Sequence, residues 1–170
     1  MPRGDPDAAR RRRVTLAARA VRGNAGAMQT DLETRIRDSF ARQGLMTTLG
    51  ATVVSVGPGT VEIRVPVTAA ASQQQGYAHG AVAFAIGDSA AGYAAVTVLA
   101  PGDDVVTSDM TIHYLAPGTG EALIARGQVV KPGRRMLVTQ ADVYAVTEGA
   151  ERHIARLTGT MVRIPAPNSR

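Results

Sequence analysis

The 170-residue chain carries a formal net charge of +5, is 45% hydrophobic and contains no cysteine. These values are typical of a single globular domain with a sizeable core, and they exclude a disulfide framework, a thiolate metal site and a cysteine nucleophile. The composition fits a reducing compartment, and no run approaches the roughly 18 apolar residues of a membrane span. We therefore expect a cytoplasmic protein.

The excess positive charge lies in residues 1–27, which hold seven arginines and two aspartates, whereas the rest of the chain is balanced. An Arg-rich segment can bind polyanions or serve as a targeting address. Four consecutive arginines without interleaved aromatics do not favour a nucleic-acid site, however. We predict that 1–27 is a disordered tail, or the product of a start codon upstream of Met28. The globular domain would then occupy 28–165, followed by a short C-terminal tail, 166–170.

Three features predict a first amphipathic helix over 31–43. Thr30-x-x-Glu33 matches a capping box, and Gly44 provides a C-terminal stop. Between them, apolar residues recur at helical spacing: Leu32, Ile36 and Phe40.

The next two segments predict a hairpin. Apolar runs at 51–56 and 61–67 flank the turn-forming sequence Gly57-Pro58-Gly59. In the second run, four apolar residues alternate with other residues: Val61, Ile63, Val65 and Val67. This alternation predicts that one face of the hairpin is buried and the other is in water.

After a loop over 68–78, the Ala-rich and almost uncharged segment from Gly80 to about Val98 predicts a helix that is buried on all sides. Turn signals separate four further strands, which we expect to pair consecutively and antiparallel: 104–115, 121–131, 136–147 and 152–164. In the first of these, alternation puts two sets of residues on opposite faces: Met110, Ile112 and Tyr114 on one, Thr107, Asp109 and His113 on the other. A curved antiparallel sheet around one apolar helix satisfies this order, which is the α+β architecture of the hotdog fold.

Asp88 is the single acid in the middle of the predicted apolar helix, where a carboxylate requires a partner. One interpretation is structural. Gly87 precedes Asp88 and Gly92 follows it, so the aspartate could cap a broken helix ahead of Ser89. The other interpretation is catalytic, and it comes from the surrounding motifs.

Four motifs in order resemble the acyl-CoA thioesterases of the hotdog superfamily, in particular their PaaI-like and 4-hydroxybenzoyl-CoA thioesterase branch. They are Gln73 ahead of the run His79-Gly80-Ala81, then Asp88, the strand 107–117, and the basic turn 130–135. The resemblance covers residues 46–164. The family usually has His-Gly-Gly, and the extra methyl group of Ala81 leaves the preferred acyl group open.

Thioester hydrolysis needs a polarised carbonyl, and the start of a helix offers free N–H groups and a positive dipole end. The Gly80 N–H, with or without that of Ala81, is the candidate oxyanion donor, although Gly80 could simply permit a tight turn. Asp88 lies eight residues further on, about 12 Å along the helix. Its carboxylate cannot reach a carbonyl bound at the same chain's Gly80, which predicts a homodimer with sites shared between chains. The resemblance implies the same dimer and its pairing into a homotetramer.

Asp88 would act as a nucleophile that forms a mixed anhydride or as a general base for water, and the sequence leaves both roles open. Gln73 would orient the carboxylate or the water, with Gln74 or Gln75 as substitutes if the loop register slips; a solvated loop is the alternative. His79 either contacts the thioester or only caps and packs against the helix.

The resemblance places Thr107 near the catalytic water, whereas exposure on a wet strand face is the other interpretation. The basic turn offers cations for the phosphates of coenzyme A, with plain surface solvation as the alternative: Lys131, Arg134 and Arg135. No metal or cofactor is predicted, because the histidines are scattered and no HExxH, P-loop, dinucleotide or GxSxG spacing is present.

The sequence therefore predicts a homo-oligomeric enzyme that hydrolyses an acyl- or aryl-CoA substrate, without a membrane or nucleic-acid partner. Two alternatives stay open. One is an enoyl-thioester hydratase or dehydratase, whose motifs we do not find. The other is a non-catalytic acyl-CoA-binding protein, for which the N-terminal tail is too short and irregular to supply an output module.

Overall fold

Six strands form one antiparallel sheet, and one long helix packs across one of its faces. The computed structural model describes residue 26 and residues 28–166, so the predicted tails lie outside the described residues except for Gly26 and Ala166. In chain order the elements are α1 (28–40), α2 (Gly44–Leu49), β1 (Thr52–Gly57), β2 (Thr60–Pro66), a 3-10 turn (Ala69–Ala71), α3 (Gly80–Val96), β3 (Asp104–Tyr114), β4 (Ala122–Lys131), β5 (Met136–Thr147) and β6 (Ala150–Ile164).

The strand order is β1-β2-β4-β5-β6-β3, and every neighbouring pair is antiparallel. The predicted consecutive pairing is therefore wrong for β3, which lies beside β6 at the edge of the sheet and not beside β4. The connection 115–121 can span about 23 Å, whereas passing two strands to reach β4 requires about 14 Å. A short loop across the end of the sheet is thus long enough to separate β3 from the strand that follows it.

Helix α1 begins before the predicted range 31–43, and Thr30 does not cap it. Gly26 is already helical, and the Thr30 hydroxyl donates to the Gly26 carbonyl at 2.9 Å from within the helix. Since Gly26 is already helical, the Thr30 hydroxyl donates to a carbonyl one turn earlier in the helix, and it does not cap a free N–H group. Glu33 is not a capping-box partner either, since it pairs with Arg37 at 2.7 Å.

The predicted stop at Gly44 is also wrong. Helix α1 ends at residue 40, and Gly44 is the first residue of α2. The glycine with left-handed backbone is Gly50, at φ 69°, which ends α2 with its N–H bonded to the carbonyls of Met46 and Thr47. This left-handed conformation, which glycine adopts without steric cost, explains where the short helix stops.

Strands β1 and β2 form the predicted hairpin, which turns through Pro58 and Gly59. Alternate residues of β2 are buried, as the pattern indicated: Val61, Ile63 and Val65.

Helix α3 lies directly on the sheet because small residues line their contact. A Cβ atom added to Gly87 would come within 2.7 Å of Leu157 Cδ1 on β6, and one added to Gly127 of β4 would overlap the backbone of Ala90. Both glycines therefore permit a close approach that any larger side chain would prevent. Within 28–166, no helix is long and apolar enough to cross a membrane.

Candidate active site

Asp88 and Thr107 meet in a cleft between α3 and the first half of β3. Asp88 is half-buried in the third turn of α3, and Thr107 Oγ1 donates to its Oδ1 at 2.8 Å. Helix α3 runs without interruption through this position, so the interpretation of Asp88 as the cap of a broken helix is wrong. The carboxylate has the polar partner that burial requires, and its Oδ2 can accept a further hydrogen bond.

Thr107 faces the helix because β3 contains a bulge. The register of β3 against β6 shifts between Thr107 and Asp109, so alternation is interrupted there. Thr107 pairs with the fully buried Met161, and its hydroxyl lies 3.5 Å from that sulfur. Met110 and Ile112, beyond the bulge, also pack against the core. The prediction that Thr107 points away from Met110 and Ile112 is therefore wrong.

The cleft beside Asp88 has a volume of about 310 Å³ and is lined in part by hydroxyl and amide groups. Tyr93 donates to Ser39 of α1 at 3.3 Å, and Ser89 donates to Gln43 at 3.4 Å. Burial raises the pKa of the Tyr93 hydroxyl above its ordinary value. No local sequence pattern indicates Ser39 or Gln43, because only tertiary packing brings α1 and the loop after it to Asp88.

His79 caps the start of α3. Its Nδ1 accepts a hydrogen bond from the Ala81 N–H at 3.0 Å, so the neutral ring carries its proton on Nε2. The Ala81 N–H is thus already bonded, which leaves the Gly80 N–H as the candidate oxyanion donor. Among the described residues, that Gly80 N–H forms no hydrogen bond.

Gln73 belongs to the turn that leads into α3. Its backbone N–H bonds to the Tyr77 carbonyl at 2.8 Å, and its side-chain Oε1 accepts from the Gln75 N–H at 2.9 Å. The bond from Gln75 holds the Gln73 side-chain oxygen inside the turn, whereas its amide nitrogen has no acceptor in the part of the chain described here.

The predicted site residues therefore form two groups within one chain. Gln73, His79, Gly80 and Ala81 lie at the start of α3, and Asp88 with Thr107 lies two turns further on. At the α-helical rise the two groups are separated by about 12 Å.

The predicted basic turn shares one end of the sheet with Thr107. Met136, which follows the turn, pairs with Val162 of β6, and Val162 pairs with Val106 of β3. The cations themselves are exposed and form no ion pair with any residue of 28–166: Lys131, Arg134 and Arg135. No group of three metal-ligating side chains is found in the described residues.

Comparison with known proteins gives a consistent set of matches. Residues 75–151 match the family described as Thioesterase superfamily. The crystal structure of a thioesterase family protein from Silicibacter pomeroyi is 40% identical, covers 78% of this chain and 98% of that one, and has a TM-score of 0.76.

Two further matches are more distant. The E. coli PaaI protein from the phenylacetic acid degradation operon is 24% identical over 82% of this chain and 97% of that one, with a TM-score of 0.72 that shows a shared fold. The 1,4-dihydroxy-2-naphthoyl-CoA hydrolase of Listeria monocytogenes is 27% identical over 105 residues, which are 62% of this chain and 85% of that protein. Together with the sheet order and α3, these matches confirm the predicted hotdog fold.

Proposed function

The chain belongs to the Thioesterase superfamily, and from that premise we propose that it hydrolyses an acyl- or aryl-CoA thioester to a free acid and coenzyme A. Similarity to a CoA hydrolase from Listeria monocytogenes supports a coenzyme A ester as the substrate. The observation that carries the proposal is the Asp88 carboxylate, which accepts a hydrogen bond from Thr107 at 2.8 Å beside an accessible cleft.

In the proposed reaction the Gly80 N–H, at the positive end of the α3 dipole, polarises the thioester carbonyl. Asp88 either attacks the carbonyl carbon, expelling the thiolate of coenzyme A and leaving a mixed anhydride for water to cleave, or removes a proton from an attacking water. Thr107 orients the carboxylate in both routes. Gln73 would hold the water through its amide nitrogen, and His79 would present its Nε2–H towards the thioester.

A second copy of the chain completes the proposed site. About 12 Å separates Gly80 from Asp88 along one helix, so Asp88 would act on a carbonyl bound at the partner's Gly80. Strand β3 supports this arrangement, because among the described strands it pairs only with β6 and its other edge is open. Two such dimers would form the proposed homotetramer.

Coenzyme A would be held by the basic turn between β4 and β5. Its guanidinium groups are suited to the 3′-phosphate and pyrophosphate, since arginine binds phosphate oxygens bidentately: Arg134 and Arg135, with Lys131 beside them. Ala81, at the first turn of α3, would lie against the bound thioester and limit its approach.

The test measures thiol release from acetyl-, medium-chain, phenylacetyl- and hydroxybenzoyl-CoA with a thiol reagent. We expect wild-type turnover of at least one ester and a loss of roughly 100-fold or more in Asp88→Ala, because the base or nucleophile is removed. Asp109→Ala is the matched control, since Asp109 is an exposed acid on β3 outside the site.

Two results would contradict the proposal. One is a folded wild-type protein that binds CoA esters and hydrolyses none of them, which would favour the binding protein. The other is an Asp88→Ala variant with the turnover of Asp109→Ala.

A further inference from the structure

Tyr114, the last residue of β3, connects the sheet to the first residue of α3. Its hydroxyl donates to the Gly80 carbonyl at 2.9 Å. A Cβ atom on residue 80 would lie 2.9 Å from Tyr114 Oη and 3.0 Å from Cζ. Glycine at position 80 therefore lets the tyrosine ring approach closely, and a larger residue there would displace the end of the Tyr114 side chain.

The peptide groups on both sides of Gly80 are held by hydrogen bonds. The His79 carbonyl accepts from the Val82 N–H at 2.9 Å, and the Ala81 N–H donates to His79 Nδ1 at 3.0 Å. The Gly80 carbonyl begins the hydrogen-bond ladder of α3, where it faces the Phe84 N–H, and the Tyr114 hydroxyl donates to the same carbonyl. After these three bonds, the Gly80 N–H is the polar group of this turn that is left for a ligand.

Of these three bonds, the bond from Tyr114 comes from the sheet. The other two lie within the turn and would move with it. Glycine has more backbone freedom than any other residue, and Gly80 lies at the very end of α3, so a bond from the sheet adds to the restraint that the helix itself provides. Tyr114 is 56% exposed, so its hydroxyl bond is not part of the hydrophobic core.

We propose that Tyr114 is a positioning residue for thioester hydrolysis: its hydroxyl holds the Gly80 carbonyl and so keeps the Gly80 N–H aimed at the substrate carbonyl. Tyr114 does not touch the reacting atoms in this role. The inference rests on the proposed function and adds to it a residue that acts through Gly80.

The first test is steady-state hydrolysis by Tyr114→Phe, which removes only the hydroxyl. We expect kcat to fall about five- to tenfold while KM changes less than about twofold, because the lost bond matters mainly when charge develops on the carbonyl oxygen. The melting temperature should stay close to that of the wild type. Tyr144→Phe is the matched control, since Tyr144 stacks on His153 on the opposite face of the sheet.

The second test reads the substrate carbonyl directly. In an Asp88→Asn background, which holds the ester unhydrolysed, the ¹³C shift of a labelled thioester carbonyl reports its polarisation. We expect binding to move this signal downfield, and we expect Tyr114→Phe to reverse part of that movement while Tyr144→Phe does not.

The outcomes separate this inference from the proposed function. If the wild type hydrolyses no ester, both are overturned. If Asp88→Ala is inactive but Tyr114→Phe retains wild-type kcat and the wild-type carbonyl shift, the role of Tyr114 alone is wrong. A Tyr114→Phe loss confined to KM, or matched by a lower melting temperature, would also overturn it.

Discussion

Thr107 reaches Asp88 across 19 residues of sequence because a bulge in β3 turns its hydroxyl towards α3. Local sequence singled out Asp88 as a candidate, because Gly80 lies on the same helix and His79 directly precedes that helix. Simple strand alternation placed Thr107 on the other face. A bulge is set by how β3 pairs with β6, and the sequence of β3 alone does not reveal it.

At this scale we predict the effect of Thr107→Val, which keeps the shape of the side chain and removes its hydroxyl. Asp88 would lose the donor that orients its carboxylate, so kcat should fall about tenfold with little change in KM. Thiol-release kinetics on the preferred ester measure both constants.

Thr111→Val is the matched control, because Thr111 is an exposed threonine on the same strand. Equal losses in the two variants would indicate a general effect on β3. An unchanged kcat in Thr107→Val would show that the hydroxyl does not assist Asp88.

At the scale of elements, strands β5 and β6 are joined by ion pairs on the face away from α3. Asp142 lies opposite Arg156 in the register and accepts from its Nε at 2.7 Å and its Nη2 at 2.8 Å. His153 Nε2 lies 2.8 Å from the same carboxylate. The Arg156 guanidinium holds the pKa of Asp142 below its usual range, and His153 contributes in the same direction.

The lowered pKa predicts how the stability of the sheet depends on pH. The folded state favours the charged carboxylate, so its stabilising effect is complete above the ordinary aspartate pKa and is lost as pH falls through the lower, folded value. Asp142→Asn should therefore lower the melting temperature at pH 7, and the difference from the wild type should shrink below about pH 4. Thermal melts between pH 7 and pH 3 test this.

Asp109→Asn serves as the control, since Asp109 is exposed and pairs with no cation in the described residues. A difference between Asp142→Asn and the wild type that is the same at every pH would show that the charge of Asp142 is not the cause.

At the scale of the whole molecule, the proposed mechanism requires two chains for a complete site. Gly80 and Asp88 belong to one straight helix, and about 12 Å separates them. The open edge of β3 beside the cleft gives a second chain a place to bind. The proposed enzyme is therefore an assembly in which each chain contributes one half of each site.

Mixing two inactive variants tests this arrangement. Asp88→Asn removes the acid, and Gly80→Val disturbs the oxyanion donor through its clash with Tyr114. In a mixed dimer one shared site would combine the intact Gly80 of the first variant with the intact Asp88 of the second. Turnover per mixed dimer should recover to about half of the wild-type value per dimer.

The two variants are co-expressed with different tags, and oligomers that carry both tags are isolated and assayed. Each variant purified alone is the control. Activity of the mixed oligomer that does not exceed the mean of the two controls would contradict a site shared between chains.

Local sequence patterns determined most of the elements of this protein. The apolar, Ala-rich segment predicted α3 to within two residues. Turn signals, with period-two alternation in β2 and β3, predicted all six strands. The same patterns led to the hotdog fold, and the resemblance to hotdog thioesterases indicated Asp88 and Gly80 as candidate site residues. These features depend on neighbours within a few residues along the chain.

Only the tertiary structure decided that β3 lies at the edge of the sheet and that Thr107 faces α3. It also placed Ser39 and Gln43 in the cleft beside Asp88. It also revealed that Tyr114 contacts Gly80, across 34 residues of sequence. Each of these depends on how distant segments pack, on a strand register or on a helix lying against a sheet. Periodicity reports which face of an element is buried, but the partner against which that face is buried is set by the whole fold.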